Sequence, residues 1–209
     1  MKIPHPTRIF IAPLALQRLK MYIECCPVEI GGLGEVELRG DRFIVTDLFL
    51  IAQWGTPSET ELDPQHISSF LAERLAQGRD PALIRVWWHS HAEADVHWSL
   101  TDQNTIKSFL GDYLISIVGN KRGEFLCRLD TPAPAPQTIE DLPLIPLGEP
   151  AVADGPELGR LRRAILGEIR EKVRILLPVD LGELYEWTMA TASDYYVEGD
   201  VPPVNDDQD

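Results

Sequence analysis

The sequence predicts an α/β fold, a mixed β-sheet flanked by helices in a sandwich, with a helical appendage at the C-terminal end. Three observations lead there. Apolar runs of strand length alternate with stretches whose apolar residues recur every three or four positions. Breakers punctuate the changes of period, with Pro13 and Pro64 where helices open and Gly40 and Gly123 where strands turn. The composition, 209 residues of which 44% are hydrophobic and 25% charged, supplies one sizeable core plus an appendage without disulfide staples.

Thr7 to Ile11 reads as a short strand, and Pro13 opens a helix with Leu16, Leu19 and Ile23 on one face. Proline is cheap at that place because the first helical N–H has no partner to lose. The helix ends before Pro27, and Glu29 to Leu38 and Asp41 to Ala52 follow as two strands joined at Arg39-Gly40. Gln53 to Glu61 reads as a polar loop. Asp63-Pro64 has the form of a cap and first helical residue, with Ile67, Phe70, Leu71 and Leu75 as the buried face. Leu83, Ile84, Val86, Trp87 and Trp88, bounded upstream by Gly78 and Pro81, form a buried strand in which alternation sends Trp87 to the core and Trp88 to a surface groove. A helix follows from Ser99, with Ile106, Phe109, Leu110 and Tyr113 at helical spacing. Tyr113 to Gly119 and Glu124 to Leu129 close the domain as a hairpin about Asn120 to Gly123.

Beyond residue 130 the composition changes. Seven of the 17 prolines fall in 131–156, where Pro-Ala-Pro-Ala-Pro favours extended polyproline geometry, so this stretch reads as a spacer. Residues 157–196 carry two helical patterns. Leu158, Leu161, Ile165, Ile169 and Val173 mark the first, and Asp180 with Glu183 caps a second bearing Leu184, Tyr185 and Met189. Residues 197–209 read as an acidic, solvated tail. The organisation expected is thus a domain over 1–130, a linker, a helical hairpin and a tail.

The net charge of −14 argues against a nucleic-acid partner, which needs clustered Lys and Arg to neutralise phosphates. Nine of the acidic residues lie after Arg174, where no Lys, Arg or His occurs. No apolar run approaches a membrane span, and the first residues lack a basic segment followed by an apolar core. Cys25, Cys26 and Cys127 are odd in number and lack metal-ligand spacing, which fits reduced thiols in a cytoplasmic protein.

The chemistry concentrates where the Trp87 strand ends. On a strand His89 and His91 share a face while Ser90 points away. After His91 and seven intervening residues comes Ser99-Leu100-Thr101-Asp102, which puts Ser99 at a helix N-cap and Asp102 in the first turn. Two imidazole nitrogens and one carboxylate suit zinc, and three protein ligands leave a fourth tetrahedral position for water. Each half alone has a plainer use, as exposed strand-end histidines and as an ordinary capping box. The conjunction at one strand-to-helix junction favours a metal.

His-Ser-His, seven residues, Ser, two residues, Asp resembles the signature of the JAMM, or MPN-plus, metallopeptidases, and Glu29-Ile30-Gly31-Gly32-Leu33 looks like the family's upstream acidic segment. The resemblance covers Ile9 to about Leu129. It implies an MPN/JAB-like, cytidine-deaminase-like sandwich and one Zn²⁺ per chain held by His89, His91 and Asp102. It also implies Glu29 as acid/base and Ser99 as a donor to the tetrahedral intermediate. Glu35 stands as an alternative base. Beside the motif, Trp98 and His97 are candidate substrate contacts. By resemblance the substrate is a ubiquitin-like protein or its conjugate, cut after the C-terminal glycine, with activating (E1-like) and conjugating (E2-like) enzymes as further partners, as in prokaryotic deconjugation and antiviral systems. The alternatives are a JAMM-type peptidase acting on a cell-wall or phage-structural amide, and a non-catalytic MPN-like scaffold.

Overall fold

The structure, a computed structural model, describes residues 3–109, 111–132, 136–149, 151 and 155–176. The helix expected from Asp180, the acidic tail and Leu110 lie outside the described residues. In chain order, β1 (Ile9–Ile11) leads into α1 (Pro13–Cys25), the strand pair β2 (Gly31–Arg39) and β3 (Arg42–Leu50), and the hairpin β4 (Gln53–Thr56) and β5 (Glu59–Leu62). Then come α2 (Pro64–Ala76), β6 (Ile84–Ser90), α3 (Leu100–Ser108), β7 (Leu114–Gly119) and β8 (Phe125–Thr131). Next are β9 (Gln137–Leu142), β10 (Leu144–Pro146), α4 (Pro156–Lys172) and β11 (Val173–Ile175).

The class is the mixed α/β expected. Eight strands form one mixed sheet in the order β10-β1-β3-β2-β6-β7-β8-β9, and β11-β4-β5 form a second, small sheet. The large sheet is not a flat layer. It curls until β10 touches β8, a nearly closed, barrel-like shape. Register shifts at Gly34 to Val36 of β2 and between Cys127 and Leu129 of β8 supply the extra twist, as bulges do.

Both faces of the central strands are covered, which corrects the expectation for Trp88. Trp87 joins a cluster with Leu33, Ile51, Ile106 and Leu114, against which Ile67 and Phe70 of α2 pack. Trp88 points the other way, yet it is fully buried and stacks on Tyr22 of α1 at 5.5 Å. A strand buried on both faces reads as a continuous apolar run, and that is why alternation misassigned it. Gly32 lets β2 and β3 approach over the Trp88 indole: a Cβ there would stand 2.1 Å from the Phe49 carbonyl oxygen and 2.9 Å from Trp88 Nε1.

Other expectations give way for identifiable reasons. Leu75 is 65% exposed and its neighbour Arg74 is buried, because Arg74 ion-pairs with Glu35 and lies 4.8 Å over the Phe49 ring. A buried carboxylate on β2 needs a counter-charge, and apolar periodicity carries no sign of it. The polar loop at 53–61 is a hairpin, with Gln53 opposite Leu62. α3 stops at Ser108, short of Tyr113. The supposed spacer holds β9 and β10, which take the two open edges of the large sheet: Leu129 pairs with Ile139, and Ile9 with Leu144. Pro143 and Pro146 stand between and at the end of these edge strands, where a missing N–H is tolerated.

The first appendage helix belongs to this same body. α4 buries Ile165 and Ile169, and its Glu168 accepts hydrogen bonds from Tyr22 Oη at 2.6 Å and Arg18 at 3.2 Å on α1. Val173, the last of its apolar series, is instead strand, paired with Gln53 of β4. Among the described residues no helix is long and apolar enough to cross a membrane. The three cysteines are free thiols, and burial pushes Cys26 up to about 11 and Cys127 up to about 12.

Candidate metal centre

Strand alternation, a tight turn and a helix cap bring three donors together at the end of β6. His89 is the penultimate residue of β6, and His91 follows the strand on the same side. Their Nε2 atoms are 3.2 Å apart. Asp102 arrives from the first turn of α3, with Oδ1 3.1 Å from His89 Nε2 and Oδ2 3.6 Å from His91 Nε2. All three side chains are buried. Donors bonded tetrahedrally to zinc at ~2.0–2.1 Å lie roughly 3.3 Å from one another. The observed edges bracket that value, so the residues fit a tetrahedral ion with one position left open.

Each donor is held by its surroundings. His91 Nδ1 donates to the Asp95 carbonyl at 3.0 Å, which leaves the Nε2 lone pair for the site. The ring of His89 stacks on Trp87 at 4.5 Å and 18°, while its Nδ1 has no hydrogen-bond partner among the described residues. Ser99 and Asp102 form a reciprocal capping box: Asp102 N donates to Ser99 Oγ at 3.1 Å and Ser99 N donates to Asp102 Oδ2 at 2.7 Å. The capping use and the ligand use of Asp102 therefore coexist. The connection from Ala92 to Trp98 is braced by the β7–β8 turn, where Lys121 N donates to Ala92 O at 2.9 Å and Asn120 Nδ2 to Ala94 O at 3.0 Å.

Two of the three donors carry the charge state that a cation would require. Burial alone would raise the Asp102 carboxyl, but hydrogen bonds from His89, His91 and Ser99 and the attraction of His89 hold it well below the usual carboxylate range. Burial lowers His89, favouring the neutral imidazole that a metal needs. His91 is raised by its hydrogen bond to Asp102, against burial.

The three donors open into a cleft of about 390 Å³ that is also lined by Glu29, Thr60, His97 and Ser99. Glu29 stands just ahead of β2 rather than on it, buried, with its N–H bonded to Thr56 O at 3.0 Å. Burial pushes its carboxyl up to about 7; His91 opposes the rise, and Asp102 and Glu59 add to it. Glu35, the alternative base, is bound to Arg74 and does not line the cleft.

Of the two candidate substrate contacts, only one faces the cleft. His97 is exposed, its ring 4.6 Å from that of His91. Trp98 turns into the Trp87 cluster instead, under the Arg128 guanidinium at 5.4 Å. The sequence reading missed the wall contributed by Glu59 and Thr60, because the hairpin carrying them looked like a loop. It also missed the role of Trp87, which parity along β6 does signal, since Trp87 and His89 are two residues apart.

No family model matches the sequence, and no curated protein matches it. Among solved structures, the solution structure of a protein from Desulfitobacterium hafniense is similar at 15% sequence identity, covering 68% of this chain and 95% of that one with a TM-score of 0.49.

Proposed function

We propose that this protein is a zinc metallopeptidase of the JAMM type, its curled sheet and helices a variant of the MPN arrangement, and that it cleaves after the C-terminal glycine of a ubiquitin-like protein. The observation that carries the metallopeptidase reading is the tetrahedral spacing of His89 Nε2, His91 Nε2 and Asp102, open to a cleft that also holds a buried glutamate of near-neutral pKa. The ubiquitin-like substrate rests on the motif resemblance.

His89, His91 and Asp102 would hold the zinc, which would supply a Lewis acid for a carbonyl and a bound water of pKa ~7. The remaining work falls to the chain. Glu29, with a pKa near the working pH, accepts the proton of the attacking water and returns it to the leaving amine, both at small energetic cost. Ser99 Oγ accepts from Asp102 N and keeps its own hydrogen, which it donates to the developing oxyanion. One such donor typically contributes ~2.7–4 kcal/mol to the transition state. Asp102, held ionised by its hydrogen bonds from His89, His91 and Ser99, also keeps the two imidazoles oriented.

The test is cleavage of ubiquitin-like proteins fused through their C-terminal glycine to a reporter, by the zinc-loaded protein. Release of the reporter after the glycine, lost in Glu29→Gln and in His89→Ala, is the expected result. Normal turnover by Glu29→Gln contradicts the acid/base assignment. Cleavage of short unrelated peptides instead moves the substrate to the cell-wall or phage-structural class.

A further inference from the structure

The end of β2 nearest the cleft runs past its partner. The β2–β3 ladder closes at the Gly32–Leu50 pair, so the N–H and C=O of Gly31 on that edge have no strand to bond. Gln53 takes the strand's place. Its Oε1 accepts from Gly31 N at 2.7 Å and its Nε2 donates to Gly31 O at 2.7 Å, the pair of bonds a neighbouring peptide would make. The other two capacities of the amide are also used, Oε1 accepting from Thr60 Oγ1 at 2.8 Å and Nε2 donating to Ile51 O at 2.7 Å. Turning the amide over would set its NH₂ against the Gly31 N–H and its oxygen against two carbonyls, so one orientation alone satisfies the site. The side chain is buried.

Gly31 sits between the two halves of the candidate centre. Across β2–β6 it pairs with the ligand His89, and two residues upstream stands Glu29. The other edge of the same segment is closed by Ser90, whose Oγ accepts from Ile30 N at 3.1 Å and whose N donates to Ile30 O at 2.8 Å. Gly55 lies so near that a Cβ there would stand 2.5 Å from the Glu29 carbonyl oxygen. Thr60, the far anchor of the Gln53 amide, is itself in the cleft wall.

We propose that Gln53 is a positioning residue for Glu29: its side-chain amide serves as a one-residue strand that carries the β2 backbone to the acid/base and ties it to the cleft wall at Thr60. This rests on the acid/base reading of Glu29. An acid/base held a few tenths of an ångström from its productive place is worth the arrangement, since a misplacement of 1 Å costs on the order of 100-fold in rate. Leaving Gly31 without these bonds orphans two buried backbone groups and frees the segment to move.

The experiment uses the full chain with Gln53→Met, which keeps length but removes all four bonds, and Thr60→Val, which keeps the Gly31 pair and cuts only the tether to the wall. In metal-free protein, hydrogen exchange at the Gly31 amide is expected to rise on the order of 100-fold relative to Ile117 and Val118 in the centre of β7 for Gln53→Met, as local opening rather than global loss. Zinc stoichiometry stays unchanged in both variants. In zinc-loaded protein kcat falls about 100-fold for Gln53→Met and about tenfold for Thr60→Val with KM unchanged, and neither change lowers the residual rate of Glu29→Gln further. Gly31 exchange that rises only in step with the β7 amides, or losses that add to those of Glu29→Gln, would overturn the proposal. Should Gln53→Met not fold, an unchanged kcat in Thr60→Val overturns the tether. Should the wild type cleave nothing, the functional reading falls and the exchange at Gly31 alone decides the place of Gln53.

Discussion

Replacing Glu29 by glutamine is expected to make the metal-free protein more stable as well as inactive, and the gain depends on pH. In the folded chain burial raises the Glu29 carboxyl from an ordinary 4.5 to about 7. Between those values the native protein retains a proton that the unfolded chain has released. Its stability is therefore full below about pH 4.5, falls as pH rises and levels off above about pH 7. At about 1.36 kcal/mol per pKa unit, a rise of about 2.5 units corresponds to at most ~3.4 kcal/mol. Because the cleft side of Glu29 faces water, screening reduces the expected effect to ~1–2 kcal/mol. A neutral glutamine of the same shape removes the dependence. Urea unfolding in the presence of a chelator, at intervals from about pH 4.5 to pH 8.5, should show Glu29→Gln gaining ~1–2 kcal/mol over the wild type across that range. Parallel curves for the two proteins would refute the buried, proton-holding Glu29 described above.

Two further substitutions separate scaffold from site. Glu35→Gln leaves Arg74 buried without its counter-charge and should cost ~3–5 kcal/mol in urea unfolding while zinc stoichiometry is unchanged. Asn120→Ala removes the bond to Ala94 O that steadies the connection between His91 and Ser99, and competition with a chelator should show zinc affinity about 10–100-fold weaker with little loss of global stability.

Much of this site was legible because its parts obey local periods. Two-residue alternation put His89 and His91 on one side of β6, and the Ser99 to Asp102 spacing fixed a helix start whatever the tertiary fold. Glu29 was found only through the motif resemblance, and its position off the strand was not legible, since the end of a ladder is decided by the partner strand. The errors share a cause. Trp88 and Leu75 were placed by assuming one dry face per element, whereas α1 covers the second face of β6 and Glu35 recruits Arg74 into the place expected for Leu75. The edge strands β9 and β10 were hidden by the prolines at their ends, Pro136, Pro143 and Pro146, which are compatible with an edge but read as a spacer. Gln53 carried no signal at all: a polar residue between Ala52 and Trp54 becomes a strand surrogate only once β3 has ended at Leu50.

Elemental analysis of the purified protein, beside His89→Ala and Asp102→Ala, decides whether the three donors hold a metal. About one zinc per chain is expected, lost in both variants, with zinc at roughly 100 times its dissociation constant stabilising the wild type by ~2.7 kcal/mol and neither variant. A wild type that takes up no zinc even after reconstitution, or variants that retain it, would contradict that expectation and leave His89, His91 and Asp102 as a hydrogen-bonded cluster beside a capped helix.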